Sequence, residues 1–181
     1  MKGYKVYLAV AVLLLLALPS FGQAVSSAVN TPITVTRSES ITISVTTALP
    51  TLTIPAGVLN SSPQNMVVFS SWNLKPTRTN GVQICVSAAA ALTGSTGNAD
   101  TIPVAAMYVT PSGGSATALG GATANCGITG AVQFKSYATG TAAQRKNLTG
   151  QSDTIPVQVT LATDVTADTY TGNLTVTGYS N

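Results

Sequence analysis

The sequence predicts an all-β protein, an antiparallel immunoglobulin-like β-sandwich of about eight or nine strands. Three observations predict it. Apolar residues recur at every second position in segment after segment, as in Ile41-Thr-Ile-Ser-Val45 and Leu174-Thr-Val176, the pattern of a strand with one buried face. Clusters of Gly, Pro, Asn and Ser separate these segments at short intervals, as turns separate sandwich strands. No stretch of useful length spaces its apolar residues at the helical period.

The chain opens on a segment that is not part of that fold. Lys2 and Lys5 precede an unbroken apolar run from Val6 to Leu18, and Pro19 then leads into small residues. That order is the order of a secretory signal, with a cut expected before Gln23 or before Val25. The run is about 13 residues, short of the roughly 20 that span hydrocarbon. Residues 1–24 are therefore expected to be a signal peptide and residues 25–181 a single domain, secreted or displayed at the cell surface after transit through the periplasm. No second apolar run approaches spanning length, so no membrane span is expected after signal removal.

Composition narrows the function. Two of the charges behind the formal +3 are Lys2 and Lys5 of the leader, so no anionic partner and no nucleic acid is implied. Charged residues make up 7% of the chain, against about 25% in ordinary proteins. Thr, Ser, Asn, Gln and Gly must cover the surface, and a common defence against edge-to-edge strand pairing is thin. The two cysteines, Cys85 and Cys126, are expected to pair in an oxidising compartment. The closed loop is about 42 residues, for which the chain-entropy model gives roughly 4 kcal/mol.

The elements follow in order. Ile33-Thr-Val-Thr-Arg37 and Ile41-Thr-Ile-Ser-Val45 alternate on either side of a polar kink, and Leu52-Thr-Ile54 is a short strand bracketed by Pro50 and Pro55. Residues 66–74 carry apolar side chains at both parities, which suits a strand buried on both faces or bulged near Ser70 and Ser71. Trp72 belongs in the core. Asn80-Gly81 is a hairpin signal, after which Val82, Ile84 and Val86 share a face and Cys85 takes the other. Residues 88–92, with four consecutive alanines, fit either a strand extension or a helical turn. Residues 102–109 read as a strand, 111–127 as a long loop pinned by Cys126, and 131–137 as a strand with Val132, Phe134 and Ser136 aligned. Ile155, Val157, Val159 and Leu161 align next. The closing strand is expected to present Tyr170, Leu174 and Val176, with Gly178 on the same face.

Catalysis finds little support. With no histidine, Ser-His-Asp and Cys-His mechanisms have no base. The five acids, Glu39, Asp100, Asp153, Asp164 and Asp168, lie in or beside expected turns, where Asp serves turn geometry. No catalytic, cofactor or metal site is expected, and an enzyme would require two of these acids to converge in a cleft. Arg145-Lys146, the one basic pair, reads as a solvated loop tip.

Tyr170-Thr-Gly-Asn-Leu-Thr-Val-Thr, with the Ala167-Asp168 turn before it, resembles the C-terminal strand of bacterial chaperone–usher fimbrial subunits. Ile41-Thr-Ile-Ser-Val45 running into Leu52-Thr-Ile54 is similar to their N-terminal donor region and first strand. The resemblance covers about a quarter of the chain. It implies an incomplete sandwich filled by the N-terminal strand of the next subunit, which is β-augmentation. Its implied partners are further copies of itself or related subunits and a periplasmic chaperone. The donor strand would lie within residues 25–46, with Ile33 and Val35, or Ile41, Ile43 and Val45, filling the groove. The rival expectation is a self-contained extracellular binding or adhesion domain.

Overall fold

A computed structural model describes residues 32–95 and 98–181. The expected signal peptide and residues 25–31 lie outside the described residues. Two compact units divide the chain, Met1–Thr36 and Arg37–Asn181. Of the first, residues 32–36 are described; they form no strand, and Ile33 and Val35 are each 87% exposed.

The second unit is all-β and antiparallel. Its larger sheet runs β1 (Ser40–Thr47), β2 (Gln64–Asn73), β11 (Lys146–Val159), β6 (Met107–Val109) and β7 (Thr117–Ala118). The opposing sheet runs β10 (Val132–Tyr137), β3 (Val82–Ala88) and β13 (Leu174–Tyr179). One apolar cluster joins them, with Met66, Val68, Val109, Ile155 and Val157 from the first sheet against Val82, Ile84, Val86, Val132 and Phe134 from the second. The two sheets thus make a sandwich, each giving one face to a shared core. Two small ribbons complete it: β12 (Tyr170–Thr171), β4 (Leu92–Gly94) and β5 (Thr101–Ile102), and the hairpin of β8 (Ala124–Asn125) and β9 (Ile128–Thr129). Thirteen strands are therefore present among the described residues, more than eight or nine because short strands such as β7 and β8 form within the segment expected as loop, and because the 102–109 and closing segments each divide in two.

The segment rich in apolar residues of both parities is one regular strand. Along β2, Met66, Val68, Ser70 and Trp72 are buried while Val67, Phe69 and Ser71 are half-buried. The irregularity expected near Ser70 lies instead in its partner, between Asn147 and Gln151 of β11. Gly150 makes this bulge, with φ +70° and the Phe69 ring so close that an added Cβ would fall 2.0 Å from its Cζ. Only glycine combines that conformation with that approach.

Several expectations are corrected. Asn80-Gly81 does not close a hairpin, because β2 and β3 belong to different sheets. Gly81, at φ +95°, turns the crossing, and its N–H donates to Thr139 Oγ1 at 3.0 Å. Leu52 and Ile54 pack against the core without strand pairing, since the flanking prolines each lack a ladder donor. Residues 102–109 are not one strand: Pro103 accepts from Ala106 N–H and starts a 3-10 turn over Val104–Ala106 before β6 begins. Residues 111–127 are more structured than a loop, holding β7, β8 and the fully buried Leu119. Finally, the register of β10 on β3 shifts between Gln133 and Lys135. That bulge leaves Ser136 exposed and turns Lys135 and Tyr137 to the face of Ile84 and Val82.

Candidate functional site

The most distinctive surface lies where the last strand of the chain forms a sheet edge. Among the described residues β13 has one neighbour, β3. Leu174, Val176 and Gly178 stand opposite Ala88, Val86 and Ile84, on the core face, while Thr175, Thr177 and Tyr179 face outward. Leu174 and Val176 therefore occupy the closing strand as expected. Tyr170 does not; it sits on β12, paired with Gly94, and its hydroxyl donates to Thr166 O at 2.7 Å. The edge strand has no charge and no proline, two of the usual guards against pairing with another chain.

The first strand of the opposite sheet lies against this edge. β1 pairs with β2 along Ser40–Asn73 to Val45–Val68, so Ile41, Ile43 and Val45 take part in the sheet of their own domain. Ile41 and Ile43 reach across to Gly178, where an added Cβ would fall 2.6 Å from Ile41 Cγ2 and 2.8 Å from Ile43 Cγ1. Val45 is 51% exposed. β1 too is uncharged. Two bare edges, one from each sheet, thus form a seam.

The seam is braced from outside. Cys85, on the outward face of β3 beside Thr177, is bonded to Cys126 of the β8–β9 turn, with Cα atoms 6.2 Å apart. Ala131, Ile128 and Tyr179 pack on the cystine. The expected pairing of the two cysteines is present, and it clips the hairpin onto the central strand.

The chain entering β1 is tied down just before the seam. Glu39 accepts from the Lys75 backbone N–H at 3.0 Å and from Arg78 Nε at 3.2 Å, with Lys75 Nζ at 3.7 Å. The Lys75 N–H, then the Arg78 guanidinium, hold the Glu39 carboxyl below its ordinary range. Ser38 O accepts from Asn73 Nδ2 at 3.5 Å.

The remaining acids divide between two places. Asp100, Asp164 and Asp168 gather near Tyr170 at one end. Asp100 accepts from the Thr166 hydroxyl and then from its N–H, which lower its pKa in that order. Asp168 accepts from Ser95, Asn98 and the Thr169 N–H, and Asp164 accepts from the Val165 N–H. Each carboxylate is occupied in holding a turn. Among the described residues no group of three His, Cys, Asp or Glu is placed to hold a metal ion.

Asp153 forms a cluster that the sequence reading missed. Buried on β11, it accepts from Lys135 Nζ at 2.8 Å and from the Tyr137 hydroxyl, so it links the two sheets through a polar contact. Burial, then the bond to Asp153, pushes the Tyr137 hydroxyl up to about 12. The bond to Asp153, then that to Tyr137, raises Lys135. The Tyr137 ring lies 5.2 Å from Trp72, whose indole N–H donates to Gln144 O at 2.8 Å. The missed signal was Lys135 and Tyr137 sharing a parity opposite to Phe134 in a short strand, which a one-residue bulge turns inward.

No protein-family model matches the chain, and no curated protein or solved structure matches it significantly. Among the described residues no helix is long and apolar enough to cross a membrane.

Proposed function

We propose that this protein is a secreted, non-enzymatic structural subunit of the cell surface, assembling in a fimbria-like manner by strand complementation. The observation that carries the reading is the seam: β13 is an uncharged edge facing β1, itself uncharged, across Gly178. The order β1–β2–β11–β6 opposite β10–β3–β13 resembles an immunoglobulin-like sandwich that ends on the strand where a further one would normally pair. The donor in this reading is residues 28–37 of another copy. Ile41, Ile43 and Val45 are engaged in their own sheet, which leaves Ile33 and Val35, alternating and 87% exposed, to enter the seam. A periplasmic chaperone would cover the same edge in transit by the same pairing.

Deleting residues 28–37 tests this. The exported wild-type chain should form polymers, while the deleted chain should stay folded and monomeric by light scattering. Unchanged polymers, or a wild-type chain that remains a monomer at every concentration, would overturn the reading. A self-contained adhesion domain is the second reading, and the closure of the seam by Ile41 and Ile43 over Gly178 favours it. It requires that a peptide of residues 28–37 leave the deleted chain unaffected.

A further inference from the structure

Charge is segregated along the sandwich. Beyond Lys5 the chain has six basic and five acidic side chains, and one pair, Lys135 with Asp153, is neutralised between the sheets. The other nine stand at two ends. At the first, where β2 stops and β11 starts, Arg145 O accepts from the Leu74 N–H at 2.9 Å, Lys146 pairs with Asn73, and Glu39 holds Lys75 and Arg78. Arg37 enters there, next to Ser38, whose carbonyl meets Asn73. Five cations against one carboxylate leave this end at +4. At the second end Asp100, Asp164 and Asp168 surround Tyr170, which gives −3. β11 runs from Lys146 at the first end to Val159, five residues before Asp164 at the second. β3, seven residues long, spans the same direction and by itself separates the ends by about 20 Å. We propose that copies of this chain line up head to tail, the acidic end of one docking on the basic end of the next.

Each end has its complement on the same chain, which makes a second copy the fitting occupant. Such a contact is heterologous and repeats without closing, as in a filament. Beyond Lys5 the net charge is only +1, so no overall repulsion opposes the approach. Apolar groups accompany the charges. Leu148 is exposed beside Lys146 at the basic end. Val58 and Leu59 are exposed at the acidic end, where Leu59 O accepts from the N–H of Leu161, three residues before Asp164. Interfaces combine an apolar centre with a charged rim in this way. Rim charges set orientation and encounter rate more than affinity. The Debye length shrinks from about 30 Å at 0.01 M salt to about 8 Å at 0.15 M. The ends alone therefore attract at low ionic strength and leave a monomer at 0.15 M, where stable polymers need strand complementation in addition. The contact does not depend on that pairing, because the chain lacking residues 28–37 keeps four of the five cations.

That deleted chain, which has no donor strand to give, is the test material. Its ends stand at +3 and −3. Static light scattering should give a negative second virial coefficient, meaning net attraction, at about 10 mM salt, and the attraction should vanish by about 150 mM. Exchanging two exposed charges, Lys146→Glu with Asp164→Lys, leaves the net charge unchanged but reduces the ends to +1 and −1. The product of the end charges, which scales their Coulomb attraction, falls from 9 to 1, so the exchanged chain should show no attraction at about 10 mM salt with an unchanged melting temperature. The salt titration itself needs no substitution. A coefficient that is not negative at low salt overturns the proposal. So does attraction that salt leaves undiminished, or attraction equally strong in the exchanged chain.

Discussion

Substitution of Gly178 by alanine probes the seam with a single methyl group. The added Cβ would lie 2.6 Å from Ile41 Cγ2, and 2.8 and 2.9 Å from Ile43 Cγ1 and Cδ1, well inside the ~3.5–4.0 Å of ordinary carbon contacts. The backbone at Gly178 is not left-handed, so alanine adds no conformational strain and the effect is one of packing. Overfilling a packed site costs about 1–3 kcal/mol. Stiffening the unfolded chain returns ~0.4–1 kcal/mol, which leaves a net loss of about 1–2 kcal/mol. Urea unfolding should show the midpoint falling with the slope unchanged. The cause is isolated by repeating the substitution in an Ile41→Ala background. There the nearest contact is gone, and the penalty should shrink by about 1 kcal/mol, a coupling typical of touching residues. A Gly178→Ala variant as stable as the parent, or a penalty identical in both backgrounds, would mean that β1 does not rest on β13.

Further outcomes follow from the same geometry. Replacing both cysteines by alanine releases a link across a sequence separation of 41 and should lower unfolding free energy by roughly 4 kcal/mol, while far-ultraviolet dichroism at low temperature remains that of a β protein. Gly150→Ala places a Cβ in the Phe69 ring at a left-handed position and should cost about 2 kcal/mol or more, of which ~1–2 is conformational; a neutral variant would contradict the bulge. Lys135 and Tyr137 both have raised pKa values, Tyr137 from 10.0 to about 12. A folded state that holds its protons longer than the unfolded one loses stability as pH rises. The pH-dependent loss should therefore set in near 10 and continue towards 12, and Tyr137→Phe should flatten it. In acid, the lowered carboxyls of Glu39 and Asp100 act in the opposite sense: their contribution is present above the ordinary carboxylate range and is lost as pH falls through the folded values.

Period-two alternation made most of the core legible. Met66, Val68, Val82, Ile84, Val86, Ile155, Val157 and Val159 are all buried, because a half-buried strand writes its inward face directly into the sequence. The cystine was equally readable, since two cysteines in a chain expected to be exported have one partner each. Pairing was not. Asn80-Gly81 supplies the positive φ of a hairpin, yet here it serves a crossing between sheets; local turn chemistry does not say which strand comes next to which. The bulge at Asn147–Gln151 inserts two residues and keeps parity, whereas the one at Gln133–Lys135 reverses it, since one slipped residue moves every later side chain to the other face. That is why Ser136 was misplaced and why the Lys135–Asp153–Tyr137 cluster was not foreseen. The seam was half visible. Leu174, Val176 and Gly178 were read on one face, but their closeness to Ile41 and Ile43 depends on how the sheets stack, which no local pattern records.

Strand complementation is tested most directly by amide hydrogen exchange on the chain lacking residues 28–37, with and without a synthetic peptide of that sequence. The account predicts slowed exchange at alternate amides within Leu174–Tyr179 and no change along β10 at the far edge of the same sheet. Unchanged exchange in β13, or protection confined to another edge, would contradict it.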